Sequence, residues 1–260
     1  MFLQSYTRNF KLRRSLLGAS LIALSGCAVL RPAVIPMEQI TDLLPGAAAR
    51  PGRRLLVVFL PGAYDEPQDF VRFGFIEALR SRNLAADAIA IDSHYGYFKD
   101  YSIAERMRDD VIAPARAKGY ERIWLVGISL GGLGSLLTAE RYPGVSGIVA
   151  LAPFIASPQA IAEVRLAGGL RRWQADSSTV ANGWEKRLLS WLSKYDAAAA
   201  GSPRLVLGFG RQDRFADSLS EIAKVLDPMR VLTQDGGHDW DTWKPLWLRS
   251  LDLLAGDLVG

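Results

Sequence analysis

One serine of this chain stands in a setting that could make it a nucleophile. Residues 127–131 read Gly-Ile-Ser-Leu-Gly, after an apolar run at 123–128 and before a helix-like run at 133–141. A strand, a sharp turn and a helix in this order is the context in which a G-x-S-x-G sequence presents its serine in strained backbone. Side chains two residues either way would collide with the strand and the helix, and glycine has none. The pattern predicts that Ser129 is catalytic.

A serine hydroxyl is a poor nucleophile unless a base takes its proton, and His238 is the candidate base. Where a serine is presented on such a turn, its partners follow in the chain as an acid and then a histidine. The chain has two histidines, His94 and His238, and only His238 lies beyond Ser129. A neutral imidazole can take the proton at pH 7 and deliver it to the leaving group. We therefore expect His238 to act as the general base.

The acid that orients this histidine is expected at Asp213. An apolar run at 204–209 predicts a strand, and Asp213 stands in the loop that leaves it. A buried carboxylate there would hold the imidazole in the right tautomer and stabilise the imidazolium. Weaker candidates are three aspartates that are near sequence neighbours of the histidine: Asp235, Asp239 and Asp241.

Acyl transfer also needs N–H donors for the oxyanion that develops on the carbonyl oxygen. One is expected from Leu130, the residue after the nucleophile. The second should come from the loop after an earlier strand, and the apolar run at 55–60 is followed by a Pro-Gly pair and then Ala63. We predict the N–H of Ala63 as the second donor, with that of Tyr64 as the alternative.

These groups converge only if the elements that carry them form one sheet. From residue 54 onwards apolar runs alternate with helical patterns, which is typical of a parallel sheet covered on both faces. The predicted strands lie near 54–60, 86–91, 122–128, 147–152, 204–209 and 229–233. The predicted helices lie near 66–82, 103–118, 131–141, 216–226 and 240–254. The candidate groups then lie at the carboxyl ends of strands, where open α/β sheets place their sites.

The stretch at 154–202 interrupts this alternation with two helical patterns, at about 157–166 and 180–196. We predict a small helical insertion. The second pattern carries one apolar face at helical spacing, which is predicted mostly to pack on the domain, with a lid lining an acyl pocket as the alternative. The residues of this face are Trp184, Leu188, Trp191, Leu192 and Tyr195.

Two further aromatic groups are assigned places. A tryptophan face on the last helix is expected to anchor that helix, and it consists of Trp240, Trp243 and Trp247. The segment 94–98, which contains His94, follows the second strand and is expected near the rim of the site, although a surface loop suits this histidine equally well.

Residues 1–27 form a separate signal. Four basic residues precede an apolar stretch at 15–25, which is too short to span a bilayer, where about 20 residues are needed. Leu-Ser-Gly-Cys at 24–27 then resembles the lipobox of bacterial lipoproteins, and Cys27 is the sole cysteine. The resemblance implies a lipoprotein signal peptide with lipid attached at Cys27.

The remaining chain is predicted to divide at residue 54. Four prolines and few apolar runs in 28–53 indicate a tether, with one helical turn at 37–44, before a domain that covers 54–260. About 230 residues suffice for a single well-buried domain.

The charge of the chain gives no support for nucleic-acid binding. The full sequence has a formal charge of +4, from 31 basic and 27 acidic residues. Removing the four basic residues of 1–27 leaves 27 of each sign, so the segment beyond is formally neutral. Nucleic-acid binding needs a basic surface on the folded domain.

The motifs together resemble those of the α/β-hydrolase superfamily, over roughly Arg53 to the C-terminus. They are the turn around Ser129, the exit loop of Asp213, the Pro-Gly pair and Gly-Gly-His-Asp-Trp at 236–240, which is similar to the histidine loop of esterase D and feruloyl-esterase type enzymes. The resemblance implies a three-layer α/β-hydrolase fold, with a mostly parallel sheet, helices on both faces and a small helical lid. The family often has His-Gly where this chain has Pro-Gly, and its initial antiparallel hairpin is expected here to be shortened or absent.

The predicted function is a serine hydrolase that cleaves a carboxylic ester through an acyl-enzyme. A thioesterase, an acyltransferase or a peptidase would use the same triad, and a non-catalytic envelope lipoprotein would keep only the fold. The sequence has no metal cluster, phosphate loop or dinucleotide motif, so no metal and no cofactor are predicted. The expected partners are a small-molecule or lipid-like acyl substrate and, through the N-terminal lipid, a membrane. The implied location is the bacterial cell envelope, facing the periplasm or the exterior.

Overall fold

Seven strands build the sheet of the computed structural model, which describes residues 31–44, 54–174 and 183–259. In chain order they are β1 (Gln39–Asp42), β2 (Arg54–Leu60), β3 (Ala86–Ile91), β4 (Tyr120–Ile128), β5 (Gly147–Leu151), β6 (Arg204–Gly210) and β7 (Val231–Gln234). Across the sheet their order is β1-β3-β2-β4-β5-β6-β7. Among the seven, β1 alone runs antiparallel to its neighbour. All six predicted strands are confirmed, and so is the mostly parallel sheet.

The central strands are apolar over most of their length because helices cover both faces of the sheet. In β2, β3, β5 and most of β4 and β6, successive residues are buried on both sides. Neighbouring parallel strands pair in register, so Leu60 at the end of β2 lies beside Gly127 in β4, which lies beside Ala150 in β5. This register brings the loops after the strands to one edge of the sheet.

Helices occupy both faces. In chain order they are α1 (Asp69–Arg72), α2 (Phe75–Ser81), α3 (Gly96–Lys99), α4 (Ile103–Arg106), a π-helical segment (Met107–Ile112), α5 (Ala113–Ala117), α6 (Leu130–Arg141), α7 (Pro158–Leu166), α8 (Trp184–Ser193), α9 (Ala216–Ala223), a 3₁₀ turn (Pro228–Arg230) and α10 (Trp240–Val259). The elements at 103–117 follow one another directly, and they form the helical stretch predicted at 103–118. α3 was not predicted.

The helix predicted at 66–82 is wrong in one respect, because the structure divides it into α1 and α2. Gly74 lies between them with φ of 76°, a left-handed conformation that a continuing α-helix does not use. Phe70 and Phe75 on the two sides of this break are both fully buried. The break therefore directs two aromatic rings into the same core.

The helical turn predicted at 37–44 is also wrong, since these residues contain β1. Gln39 pairs with Ile91 and Asp42 with Ala88, so β1 covers the edge of β3. The edge of β3 offers unpaired N–H and C=O groups, and pairing satisfies them. The sheet therefore begins inside the segment assigned to a tether, and the predicted boundary at residue 54 is too late.

Both helices expected within 154–202 are present, as α7 and α8. Leu188 and Leu192 of the predicted apolar face are fully buried, whereas Trp184 and Trp191 are only partly covered. The two leucines of this face thus pack on the domain, as expected. In the three described ranges no helix has both the length and the apolar character needed to cross a membrane. Cys27 and the rest of the predicted signal segment lie outside the described residues.

Candidate active site

Ser129 stands at a strained turn between β4 and α6. Its φ of 52° and ψ of −112° are unfavourable for a residue with a side chain, and such a conformation costs roughly 1–3 kcal/mol. Hydrogen bonds hold it in place: its N–H donates to the Leu151 carbonyl at 2.9 Å, and its carbonyl accepts from the N–H groups of Leu133 and Phe154, each at 3.1 Å. The strain persists because both neighbouring elements fix this backbone.

The two glycines of the motif have steric reasons. A Cβ on Gly127 would collide with the backbone of Gly131 at the start of α6. A Cβ on Gly131 would collide with the carbonyl groups of Leu60 and Pro61 at the end of β2. The start of α6 thus leaves no room for a methyl group at Gly127, and the end of β2 leaves none at Gly131, so side chains at both positions would collide, as the sequence predicted.

The structure brings the hydroxyl, the imidazole and the carboxylate together. The Nε2 atom of His238 lies 2.9 Å from the Oγ atom of Ser129, and its Nδ1 atom lies 2.8 Å from Oδ2 of Asp213. An ionised carboxylate can only accept, so Nδ1 carries the hydrogen and Nε2 is free to accept from the serine hydroxyl. The other oxygen of Asp213 accepts from the Phe215 N–H at 2.8 Å, and its side chain is fully buried.

The competing aspartates do not reach the histidine. Asp235 is exposed and pairs with Arg211, and Asp239 is exposed and accepts from the Thr242 N–H. Asp241 is exposed as well. Of the four acids that were considered, Asp213 is the one that contacts His238.

Two aromatic rings pack against the histidine ring, a contact that the sequence did not predict for either of them. Phe215 and Trp243 lie edge-on to it, at centroid distances of 5.1 and 5.0 Å. Such contacts restrict rotation of the imidazole out of the plane of its hydrogen bonds. Phe215 stands two residues after Asp213, so the sequence does place an aromatic residue close to the predicted acid. The contact of its ring with His238 is decided by the fold.

The loops that carry Asp213 and His238 are bonded to each other. The N–H of Gln212 donates to the Gly236 carbonyl at 3.0 Å, and the side-chain oxygen of Gln212 accepts from the Gly236 N–H at 2.6 Å. Gly236 has φ of 134°, and a Cβ there would collide with the side chain of Thr242. This glycine therefore allows the loop to close against the start of α10.

The predicted oxyanion donors belong to the residue after Ser129 and to the loop that follows β2. The N–H of Leu130 is the first of α6 and has no partner within that helix. Ala63 follows Gly62, whose ideal Cβ position lies 3.6 Å from the Cβ atom of Ser129. In the part of the chain that the structure describes, no hydrogen bond occupies the N–H of Ala63. Tyr64, the alternative, is 76% exposed.

One cavity contains the serine, and a larger cavity begins at the next residue. A cleft of about 330 Å³ is lined by Ser129 and His238 and by residues 62–65. A larger cavity of about 640 Å³ begins beside Leu130 and Phe154 and follows one face of α6. A ligand that contacts the serine therefore lies in the smaller cleft, and the larger cavity starts beside Leu130.

For His94 the sequence left two positions open, the rim of the site and a surface loop. His94 is buried, and its Nδ1 atom accepts from the N–H of Gly96 at 3.1 Å. Its neighbours Tyr95 and Phe98 line the larger cavity. The segment thus reaches the cavity, but its histidine does not line it.

With this geometry established, comparison with known proteins identifies the family. The model of the Alpha/beta hydrolase family matches residues 57–258. The chain belongs to the alpha/beta hydrolase family. No curated protein matches it significantly. The order of strands and the serine turn after β4 are those of an alpha/beta hydrolase.

Solved structures resemble this alpha/beta hydrolase in fold. Est1E from Butyrivibrio proteoclasticus has a TM-score of 0.62 at 14% identity, over 86% of this chain and 94% of that chain. A ferulic acid esterase has a TM-score of 0.58 at 12% identity, over 86% and 99%. An S-formylglutathione hydrolase from Agrobacterium tumefaciens has a TM-score of 0.54 at 14% identity, over 86% and 90%. At these identities the likeness concerns the fold.

Proposed function

We propose that this alpha/beta hydrolase is a serine hydrolase that cleaves a carboxylic ester. The observation that carries the proposal is the continuous chain of hydrogen bonds from Ser129 through His238 to Asp213, with contacts of 2.9 and 2.8 Å. Nucleophile, base and orienting acid in hydrogen-bond contact are the arrangement that activates a serine hydroxyl. The solved esterases of the same fold agree with this reaction class.

The first half of the reaction forms an acyl-enzyme. The Oγ atom of Ser129 bonds to the ester carbonyl carbon while its proton moves to Nε2 of His238. The negative charge that develops on the carbonyl oxygen is stabilised by the N–H groups of Leu130 and Ala63. The bond to the alkoxy oxygen then breaks, and that oxygen leaves with the proton from Nε2.

The second half repeats these steps with water. His238 takes a proton from a water molecule, and the hydroxide that forms attacks the acyl carbon. The tetrahedral intermediate collapses, the acid departs, and the proton returns to Oγ of Ser129. Throughout, Asp213 stays ionised and holds the ring so that Nε2 faces the reacting atoms.

The two cavities suggest where the parts of the ester bind. The leaving group takes its proton from His238, so it belongs in the cleft that this histidine lines.

The acyl group then extends into the larger cavity, whose floor is the α6 face that runs from Leu130 through Leu133 and Leu137 to Arg141. At about 1.5 Å per residue this floor is roughly 16 Å long. Aromatic rings of Phe98, Phe154 and Trp184 line the sides. These dimensions suit an extended apolar acyl chain.

Labelling with a fluorophosphonate probe tests the proposal. Wild type should form a stable adduct at Ser129, and Ser129→Ala should form none. Ser135→Ala is a matched control, because Ser135 is a fully buried serine of the same helix that bonds to the Gly131 carbonyl. A folded wild-type protein that never labels would refute the proposal and favour a binding role.

A substrate panel separates the reactions that share this machinery. Nitrophenyl esters of increasing acyl length, compared with thioesters and anilides of the same acids, report which leaving group is preferred. We expect kcat/KM on esters to rise with acyl length while the chain still fits on the α6 face. A preference for thioesters or anilides at equal chain length would reassign the enzyme to a thioesterase or a peptidase.

We also propose that the protein is a lipoprotein of the bacterial envelope, attached to a membrane through Cys27. The support is the basic segment, the short apolar stretch and the Leu-Ser-Gly-Cys sequence at 24–27. Cells fed a radiolabelled or clickable palmitate should incorporate it into wild type and not into Cys27→Ala. Mature protein that still begins at Met1 would contradict this proposal.

A further inference from the structure

The loop that carries the second donor is closed by one carboxylate, that of Asp65. Its Oδ1 atom accepts a 3.0 Å hydrogen bond from the indole N–H of Trp240. Its Oδ2 atom lies against Gly62, where a Cβ would collide with it. The backbone N–H of Asp65 donates to the Gly62 carbonyl at 3.3 Å, so the two residues also close the turn through their backbones. Ala63 lies inside this turn.

The pKa of Asp65 reflects both the burial of its carboxyl group and the hydrogen bonds that this group accepts. Burial raises the pKa of this carboxyl, and hydrogen bonds from Trp240 and from the backbone of Gly62 oppose the rise. Pro61, the residue before the turn, has no N–H with which the loop could be fixed. The Asp65 side chain therefore holds the loop in addition to the backbone bond between Asp65 and Gly62.

The indole of Trp240, which donates to this carboxylate, is packed among aromatic rings. The ring of Trp240 stacks on Phe73 with centroids 4.4 Å apart and meets Phe70 and Phe75 edge-on at 5.5 and 5.3 Å. Trp240 is the first residue of α10 and follows His238 by two positions. One hydrogen bond therefore joins the donor loop to the segment that carries the histidine, across 175 residues of chain.

We propose that Asp65 is a positioning residue that holds the N–H of Ala63 at the place where the oxyanion forms. This inference rests on the proposed function. The loop lies beside the nucleophile, since a Cβ on Gly62 would be 3.6 Å from the Cβ atom of Ser129, so a shift of the turn moves the donor relative to Ser129. A misplacement of about 1 Å can lower the rate roughly 100-fold. The role belongs to the hydrogen bonds and not to the charge, because a negative charge close to the site disfavours an oxyanion.

The kinetic test compares variants that remove either end of the hydrogen bond. Asp65→Ala should lower kcat about 10- to 100-fold with KM within about threefold, as expected for a transition-state effect. Asp65→Asn keeps an oxygen that can accept from Trp240 and should recover most of this loss. Trp240→Phe should lower kcat in the same sense, and the double variant Asp65→Ala/Trp240→Phe should be within about twofold of Asp65→Ala.

Trp247→Phe is the matched control. Its indole N–H lies on the same helix and donates to the Phe75 carbonyl at the same distance of 3.0 Å, away from the loop. This variant should lose stability without a comparable fall in kcat. If Asp65→Ala raised KM and left kcat unchanged, Asp65 would be a substrate contact, and additive effects in the double variant would equally overturn the inference.

Hydrogen exchange tests the anchor without turnover. In Trp240→Phe, the amides of Gly62 and Asp65 should exchange faster than in wild type by about tenfold or more, while Trp247→Phe leaves them unchanged. Unaltered exchange in Trp240→Phe would overturn the positioning role by itself. A wild-type protein without hydrolase activity would instead refute the proposed function, so the two failures are distinguishable.

Discussion

Two glycines of helix α6, three residues apart, should respond differently to alanine: Gly131→Ala should destabilise the fold, and Gly134→Ala should have little effect. A Cβ on Gly131 would collide with the carbonyl groups of Leu60 and Pro61, which are backbone atoms at the end of a central strand. A Cβ on Gly134 would lie 3.1 Å from Cζ of Phe98 and 3.2 Å from Cγ1 of Ile103. These are side-chain and not backbone atoms, and they can move by a few tenths of an ångström.

The expected magnitudes follow from this difference. Alanine is favoured over glycine inside a helix by about 0.8–1.0 kcal/mol, and both variants gain this amount. Overpacking costs about 1–3 kcal/mol, and the backbone clash of Gly131→Ala lies at the upper end. We therefore expect Gly131→Ala to lower the free energy of unfolding by about 2 kcal/mol and Gly134→Ala to change it little. For a domain of this size that is a difference in Tm of about 4–8 °C.

Equilibrium urea unfolding of the two purified variants and wild type measures this directly. Esterase activity gives a second readout, because the Pro61 carbonyl that Gly131→Ala displaces directly precedes the loop of Ala63. Activity should fall more in Gly131→Ala than in Gly134→Ala. Equal stabilities, or a less stable Gly134→Ala, would refute the claim that the end of β2 excludes a side chain at residue 131.

Three further outcomes are expected. Ser129→Ala and His238→Ala should lower kcat to a similar extent, since these residues act as a unit, and a His238→Ala variant with near-normal turnover would show that the base lies elsewhere. Asp213→Asn should lower kcat by several orders of magnitude, about 10⁴-fold where the tautomer is lost, whereas Asp235→Asn should not; the reverse result in rate assays would move the acid. Burial, reinforced by a hydrogen bond to a carboxylate, raises the pKa of Tyr120 from 10.0 to about 12, so the protonated phenol stabilises the fold below pH 10 and this contribution is lost as pH rises to 12. The urea unfolding free energy should thus fall more steeply over this range in wild type than in Tyr120→Phe, and parallel profiles would contradict it.

The sequence by itself determined the class of fold and the positions of its central elements. Strands β2 to β6 are mostly buried on both faces, so each contains a run of apolar residues that can be recognised without its partners. The turn at Ser129 was equally legible, because the whole G-x-S-x-G pattern stands within five residues between an apolar run and a helix-like run. The family match over 57–258 agrees with what these local patterns predicted.

Local patterns failed where a distant partner decides the conformation. Residues 39–42 form a strand because the edge of β3 is available to pair with them. Only Ile40 of these four residues is strongly apolar, so their pattern is too short to predict a strand. Gly74 breaks a pattern that reads as one helix, since the buried positions of Phe70 and Phe75 require a change of direction.

The choice among possible partners in the site belonged to the tertiary structure alone. Chain order made Asp213 the first candidate, but the register of β6 beside β7 is what brings its carboxylate to the imidazole and leaves Asp235 at the surface. The bond between Asp65 and Trp240 joins residues 175 positions apart, and no spacing in the sequence encodes it. Periodicity reports which face of an element is buried, whereas contacts between elements depend on how the whole sheet places them.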